Sequence, residues 1–99
     1  MAYCRISSIT NPTSSSSFIA GNTVNVTWNY SGQCGDWNVS KIQLQSNYPS
    51  GSWSNVSTLF NGVDPATSGS KSVTLPSSSL NYGDYYRLKV TYVVAEEEL

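Results

Sequence analysis

The sequence predicts an all-β protein in which two antiparallel sheets pack face to face. Two segments carry this prediction, because apolar and polar residues alternate along them with a period of two. In segment 23–30 the apolar positions are Val24, Val26, Trp28 and Tyr30, and in segment 86–94 they are Tyr86, Leu88, Val90, Tyr92 and Val94. Successive side chains of a strand point to opposite faces, so each segment has one buried and one solvent-facing side. We expect these two strands to be the central strands of the two sheets.

Length and composition limit the protein to one small domain. The chain has 99 residues, enough for a single modest core, and we expect that domain to span residues 1–99 with a short acidic tail at 95–99. The net charge of −1 gives no electrostatic basis for nucleic-acid binding. No apolar run approaches the roughly 20 residues that cross a bilayer. We therefore expect neither a nucleic-acid partner nor direct membrane insertion.

The other strands are predicted from shorter apolar runs and the turn residues between them. A first strand over 3–9 is interrupted at Pro12, which cannot donate a backbone hydrogen bond, and resumes over 18–20. Further strands are predicted over 41–45, 53–60 and 70–75, and the dipeptide Asn61-Gly62 predicts a turn after the second of these. Counting both parts of the first strand gives about seven strands. This spacing predicts an immunoglobulin-like, Greek-key sandwich.

The predicted sandwich lacks an obvious final strand, since only Ala95, three glutamates and Leu99 follow Val94. The 86–94 strand would then present an unpaired edge, which natural proteins normally cover. A truncated domain, a second chain, or weak pairing by the tail would each account for this edge. We expect pairing between copies of the chain, and hence a homo-oligomer.

Cys4 and Cys34 are the only cysteines, and they allow two interpretations. They are either two unpaired, partly buried thiols or a disulfide. A disulfide is favoured by position, because Cys4 lies at the start of the first strand and Cys34 just beyond the end of the second. If those strands pair antiparallel, the two ends are adjacent. Such a bridge would indicate an oxidising, extracellular compartment, in which case a leader peptide has been removed.

Several motifs in order along the chain resemble those of a known family. They are the segments Ile9–Thr13, Ala20–Trp28, Ile42–Leu44, Val73–Ser77 and Asp84–Val90. Together they resemble the Ser/Thr-rich, GPI-anchored fungal cell-wall family, whose domain is shared with yeast proteins of β-1,6-glucan synthesis and with bacterial surface modules. The resemblance implies an extracellular, wall-associated, immunoglobulin-like module without established catalytic residues. The cysteine pair, Tyr85 and the missing final strand depart from the family's pattern.

The sequence gives little basis for catalysis or metal binding. It has no histidine, which is the usual base near neutral pH. Asp36 and Asp84 fall in different loops, so they do not predict the paired carboxylates of a glycosidase. Asp36 and Asp64 are conceivable calcium ligands, but no spaced series of oxygen ligands accompanies them. We expect a protein that is not an enzyme and has no metal or other cofactor.

Four Asn-X-Ser/Thr sequons are candidate glycosylation sites, at Asn25, Asn29, Asn38 and Asn55. Chance alone would give two or three in a chain so rich in asparagine, serine and threonine. Asn25 and Asn29 belong to the polar parity of the second strand. We expect both to project into solvent, where a glycan fits.

Exposed aromatics are the remaining candidates for a functional site. Trp37, Tyr48, Trp53 and Tyr82 fall in predicted loops or at strand ends, and Tyr48, Trp53 and Tyr82 should gather at one end of the sandwich. Planar rings beside amides can stack on sugar rings; alternatively, these aromatics cap the core. We expect a non-catalytic cell-wall or surface module that associates with glycans through them. The alternative is a structural spacer or self-assembling adhesion protein that uses the open strand edge.

Overall fold

The computed structural model describes residues 3–13, 18–47, 51–78 and 86–94, and within them the protein is all-β. One three-stranded antiparallel sheet has the order β1-β2-β5, and the second has the order β4-β3-β6. No helix in these ranges is long and apolar enough to cross a membrane. The elements are β1 (Cys4–Asn11), β2 (Thr23–Gly32), β3 (Trp37–Ser46), β4 (Ser54–Pro65), a 3₁₀ turn (Ala66–Ser68), β5 (Ser70–Thr74) and β6 (Tyr86–Val94).

The two sheets pack together through an apolar core. Val24, Val26 and Trp28 of β2 contact Val39 and Ile42 of β3, and all five are buried. Burial of such side chains is the main favourable term in folding. Half-buried residues from both sheets close the edges of this core: Ile6, Ile9, Leu59, Phe60, Leu75, Leu88, Val90 and Tyr92.

Of the two strands predicted to lie at the centre of a sheet, β2 does and β6 does not. β2 lies between β1 and β5, as expected, but the centre of the second sheet is β3, and β6 pairs with β3 at its edge. The burial of β3 explains its place, because Ile42 and Leu44 are covered on one face and Gln45 on the other. Alternation along β6 correctly indicates a half-buried strand. It does not distinguish an edge strand from a central one.

Tyr30 was predicted to face the core and is instead 42% exposed. Two features of its surroundings explain the difference. β5 pairs with β2 only from Thr23 to Thr27, so Tyr30 has a neighbouring strand on one side alone. The pairing with β1 also shifts register between Ile6 and Ser8, opposite Tyr30. A bulge of this kind increases local twist and turns side chains away from the direction that strict alternation predicts.

The first strand ends at Asn11, before Pro12, as predicted, but it does not resume over 18–20. The amide of Asn22 donates to the carbonyl of Ile19 at 3.1 Å, and Gly21 has a φ of 86°. These features make a turn that leads directly into β2. Ile19 is accordingly well exposed. The prediction of a strand over 18–20 is therefore wrong, because the apolar residues Phe18 and Ile19 are exposed rather than buried in a sheet.

The turn predicted at Asn61-Gly62 is also wrong, because both residues lie inside β4. A two-residue hairpin turn of the Asn-Gly type needs a positive φ at glycine, and Gly62 is not among the positive-φ glycines. A Cβ at Gly62 would lie 3.3 Å from Cζ of Phe60. The glycine thus leaves room for the phenylalanine ring.

The predicted disulfide is present and joins Cys4 to Cys34, with 4.8 Å between the Cα atoms. Cys4 pairs with Gly32 across β1 and β2, which is the antiparallel arrangement that the prediction required. Gly32 has a φ of 86°, and a Cβ there would collide with the carbonyl oxygen of Tyr3. Glycine is therefore required for the two strands to approach beside the bridge. Both cysteines are buried against Ala66, and we call these three residues the disulfide cluster.

The connection from β4 to β5 is anchored on Trp28. The indole Nε1 of Trp28 donates to the carbonyl of Ala66 at 2.9 Å, and the Trp28 amide donates to the carbonyl of Gly69 at 3.0 Å. Trp28 is 4% exposed. Its ring therefore fills the core while its polar atom is satisfied by the chain that passes from one sheet to the other.

Candidate functional site

The second sheet has one apolar face on the core and one polar face directed outward. Ile42 and Leu44 of β3 point inward, so Lys41, Gln43 and Gln45 point outward. The strand register places polar residues of β4 and β6 on both sides of these three. We call this surface the outer face; its rows are Asn55–Gln45–Arg87, Thr58–Gln43–Lys89 and Asn61–Lys41–Thr91.

The row through Gln45 is tied together by hydrogen bonds. Nε of Arg87 donates to Oε1 of Gln45 at 2.8 Å, and Nε2 of Gln45 donates to Oδ1 of Asn55 at 2.9 Å. Gln45 is only 7% exposed, so its amide must find partners inside the protein. With both ends of that amide satisfied, the row is fixed in one orientation.

Trp53 lies one residue before β4 and rests against this row. The guanidinium carbon of Arg87 is 4.4 Å from the centre of its ring system, a cation–π distance. Trp53 nevertheless remains 37% exposed. The arginine therefore holds a tryptophan ring at the surface, beside the amides of Gln45 and Asn55. We call these four residues the Trp53 cluster.

Of the four aromatics predicted to form a site, Tyr48 and Tyr82 lie outside the described residues. Trp37 begins β3, whereas Trp53 is next to Ser54, which pairs with Ser46 at the other end of that strand. A ten-residue strand is about 30 Å long. The structure therefore places Trp37 and Trp53 at opposite ends of the second sheet and does not bring them together.

Trp37 packs at the disulfide end of the molecule. Its ring lies against the disulfide cluster and is 5.7 Å from the ring of Tyr92. Its Nε1 is buried and has no hydrogen-bond partner among the residues described. Trp37 therefore packs against the protein, and its ring is half-buried. Of the two candidate aromatics that the structure describes, Trp53 is the exposed one that a ligand can reach.

The four sequon asparagines occupy different environments. Asn25 and Asn29 are exposed on β2, where an attached glycan has room, and Asn38 is half-buried at the start of β3. The side-chain oxygen of Asn55 accepts a hydrogen bond from Gln45. A glycan on Asn55 would occupy the Trp53 cluster. Asn25 and Asn29 are therefore the positions best suited to modification.

Sequence reasoning missed the polar partners of Trp53, namely Gln45, Asn55 and Arg87. The alternation of Lys41, Gln43 and Gln45 with apolar residues does show that they share an outward face. The strand register, which places Arg87 and Asn55 on either side of Gln45, has no local signal in the sequence.

In the described parts of the chain, no group of three or more histidine, cysteine, aspartate or glutamate side chains could hold a metal ion. Asp36 is exposed, and Oδ2 of Asp64 accepts a hydrogen bond from the hydroxyl of Ser68 at 3.0 Å. The arrangement on the outer face is therefore one of stacking, hydrogen bonding and positive charge.

Comparison with protein-family models, with curated proteins and with solved structures finds no match to this chain. The fold and the outer face together define an all-β protein of two packed sheets with a polar, tryptophan-bearing surface.

Proposed function

We propose that this protein is a non-catalytic, extracellular module of a cell wall or cell surface, which associates with glycans through the Trp53 cluster. The observation that carries the proposal is the exposed indole of Trp53, held by Arg87 beside the fixed amides of Gln45 and Asn55. Sugars present apolar C–H faces and hydroxyl groups. The ring of Trp53 complements the apolar faces, and the exposed side chains of Asn55 and Arg87 can hydrogen-bond to the hydroxyl groups.

Preorganisation supports this use of the cluster. Binding a ligand usually costs the side-chain freedom of the residues that contact it. Here the arginine is already hydrogen-bonded to Gln45, and its guanidinium already lies over the tryptophan ring. A sugar stacking on Trp53 would therefore order few additional side chains, which favours affinity for a ligand that offers only a shallow contact.

The strand order supports an immunoglobulin-like Greek key as the finer description of the fold. The first, second and fifth strands form one sheet, and the third, fourth and sixth form the other, the division expected when the final strand is absent. The disulfide is compatible with an extracellular location. Both points agree with the resemblance to the Ser/Thr-rich, GPI-anchored cell-wall family, to which we propose the chain is related.

Trp53→Ala is expected to weaken glycan binding about 10-fold or more, because tryptophan anchors commonly supply over 1 kcal/mol of binding energy. Calorimetric titration with a soluble β-glucan and with polygalacturonate measures the effect. The matched control is Tyr30→Ala, which removes an aromatic of similar exposure from the other sheet. Absence of binding to every polysaccharide, or equal losses in the two variants, would contradict the proposed function.

A second candidate function is self-assembly through β6. In the described part of the chain, Arg87–Val94 of this strand pairs with β3 along one edge, and addition of a further strand along the other edge would extend the sheet. Arg87 and Lys89 oppose this use, because like charges that meet across paired edges are destabilising. Light scattering over a wide concentration range tests it. Assembly without carbohydrate would favour the structural role, and a persistent monomer would exclude it.

A further inference from the structure

The basic residues of this chain are concentrated on one surface. The net charge is −1 and there are five lysines and arginines in all. Three of the five, Lys41, Arg87 and Lys89, lie on the outer face. The two acidic residues within the described ranges lie elsewhere, Asp36 before β3 and Asp64 at the end of β4, where it accepts a hydrogen bond from Ser68. Among the residues that the structure describes, the outer face therefore carries positive charge alone.

The strand register fixes the spacing of these cations. Arg87 and Lys89 are two residues apart on one face of β6, about 7 Å. Lys41 is opposite Thr91 and therefore diagonal to Lys89, about 7–8 Å away. The path from Trp53 over Arg87 and Lys89 to Lys41 covers about 20 Å. An extended chain of sugars can contact this whole path at once, whereas a single sugar cannot.

The two lysines are available to a ligand. Both are exposed, and neither makes an ion pair or hydrogen bond with another residue in the described part of the chain. Arg87 differs, since its guanidinium is held by Gln45 and Trp53. The outer face therefore combines one fixed stacking position with two free positive charges farther along the sheet.

We propose that the ligand of the outer face is an acidic polysaccharide. This inference rests on the proposed glycan-binding function and specifies its ligand class. One sugar ring stacks on Trp53, and carboxylates farther along the polymer pair with Lys89 and Lys41. A nucleic acid is disfavoured, because phosphate-tracking surfaces are usually found in strongly basic domains, whereas the pI here is about 5.0.

The test uses pairs of polymers that share a backbone and differ in carboxylate content: polygalacturonate against its fully methyl-esterified form, and carboxymethylated β-glucan against the unmodified glucan. We expect the acidic member of at least one pair to bind about 10-fold more tightly in 50 mM salt. That preference should largely disappear in 0.5 M salt, where screening is strong.

The variant Lys41→Gln/Lys89→Gln is expected to weaken binding of the acidic polymer about 4- to 25-fold, since each of two exposed ion pairs contributes roughly 2- to 5-fold. Arg5→Gln removes an exposed charge from β1 in the other sheet and should change affinity less than 2-fold. Circular dichroism of each variant checks that the fold is retained, as expected for exposed positions.

Each other outcome has a definite meaning. Equal, Trp53-dependent binding of the acidic and neutral polymers would overturn the acidic ligand and leave the glycan-binding function standing. Binding of none of the four polymers would overturn both. Polyuridylate binding as tightly as the acidic polysaccharides would overturn the choice of polysaccharide. A double variant that binds like Arg5→Gln would show that Lys41 and Lys89 do not form the site.

Discussion

Replacing Cys4 and Cys34 together with alanine is expected to lower the free energy of unfolding by about 3–4 kcal/mol. The bridge joins residues separated by 30 positions and thereby restricts the unfolded chain. In the chain-entropy model a loop of this length gives a stabilisation of that size. Small domains have total stabilities of only about 5–15 kcal/mol. The loss is therefore a large part of what keeps this protein folded.

Urea denaturation monitored by tryptophan fluorescence measures this effect. Cys4→Ala alone should lower the free energy of unfolding nearly as much as the double substitution does, because either change removes the bond. Under reducing conditions, the urea midpoint of the wild-type protein should approach that of the double variant. The midpoint of the double variant should not change when reductant is added. A double variant with the midpoint of oxidised wild-type protein would show that the bridge does not stabilise the fold.

Trp28→Ala is expected to lower the free energy of unfolding by about 3–5 kcal/mol, the range for removing a large aromatic from a core. The indole is 4% exposed and packs between the two sheets. Its loss also removes the hydrogen bond to the carbonyl of Ala66, which is itself in a buried residue. A buried acceptor without a partner adds to the cost of the cavity.

Two variants separate these contributions and provide a matched comparison. Trp28→Phe keeps much of the ring and loses the hydrogen bond, so a smaller loss of about 1–3 kcal/mol is expected. Trp53→Ala makes the same substitution at the surface, and we expect it to lower the free energy of unfolding by less than about 1 kcal/mol. Equal destabilisation by Trp28→Ala and Trp53→Ala in urea denaturation would refute the assignment of Trp28 to the core.

Period-two alternation identified the strands most reliably where one face is fully covered. β2 is the clearest case, because Val24, Val26 and Trp28 are all buried and the polar residues Asn25 and Asn29 are exposed. The disulfide was also predictable, since the ends of two sequential antiparallel strands must lie side by side. Both inferences depend on local geometry that repeats along the chain.

Predictions failed where a neighbouring strand decided the outcome. Tyr30 has the parity of the core but is exposed, because β5 does not extend beside it. Asn61-Gly62 has turn chemistry but lies within β4, where the glycine accommodates the ring of Phe60. Tyr30 lacks a distant partner strand, whereas Asn61 has one, because it pairs with Lys41 of β3, and in both cases this pairing outweighed a local preference.

The candidate site was only partly predictable for the same reason. Trp53 could be selected as an aromatic near a strand end, but its polar partners could not, because Arg87 and Gln45 are 42 positions apart. A register displaced by one residue would turn Arg87 to the opposite face of the sheet.

By itself, the sequence determined an all-β chain with a buried tryptophan strand and favoured a bridge between Cys4 and Cys34, because side-chain alternation and strand ends are local properties. Only the tertiary structure decided that β3 is the centre of the second sheet, and that Trp53, Arg87 and Gln45 meet on its outer face. Strand order and register arise from pairing between distant segments, and that pairing is selected by the burial of both sheets together.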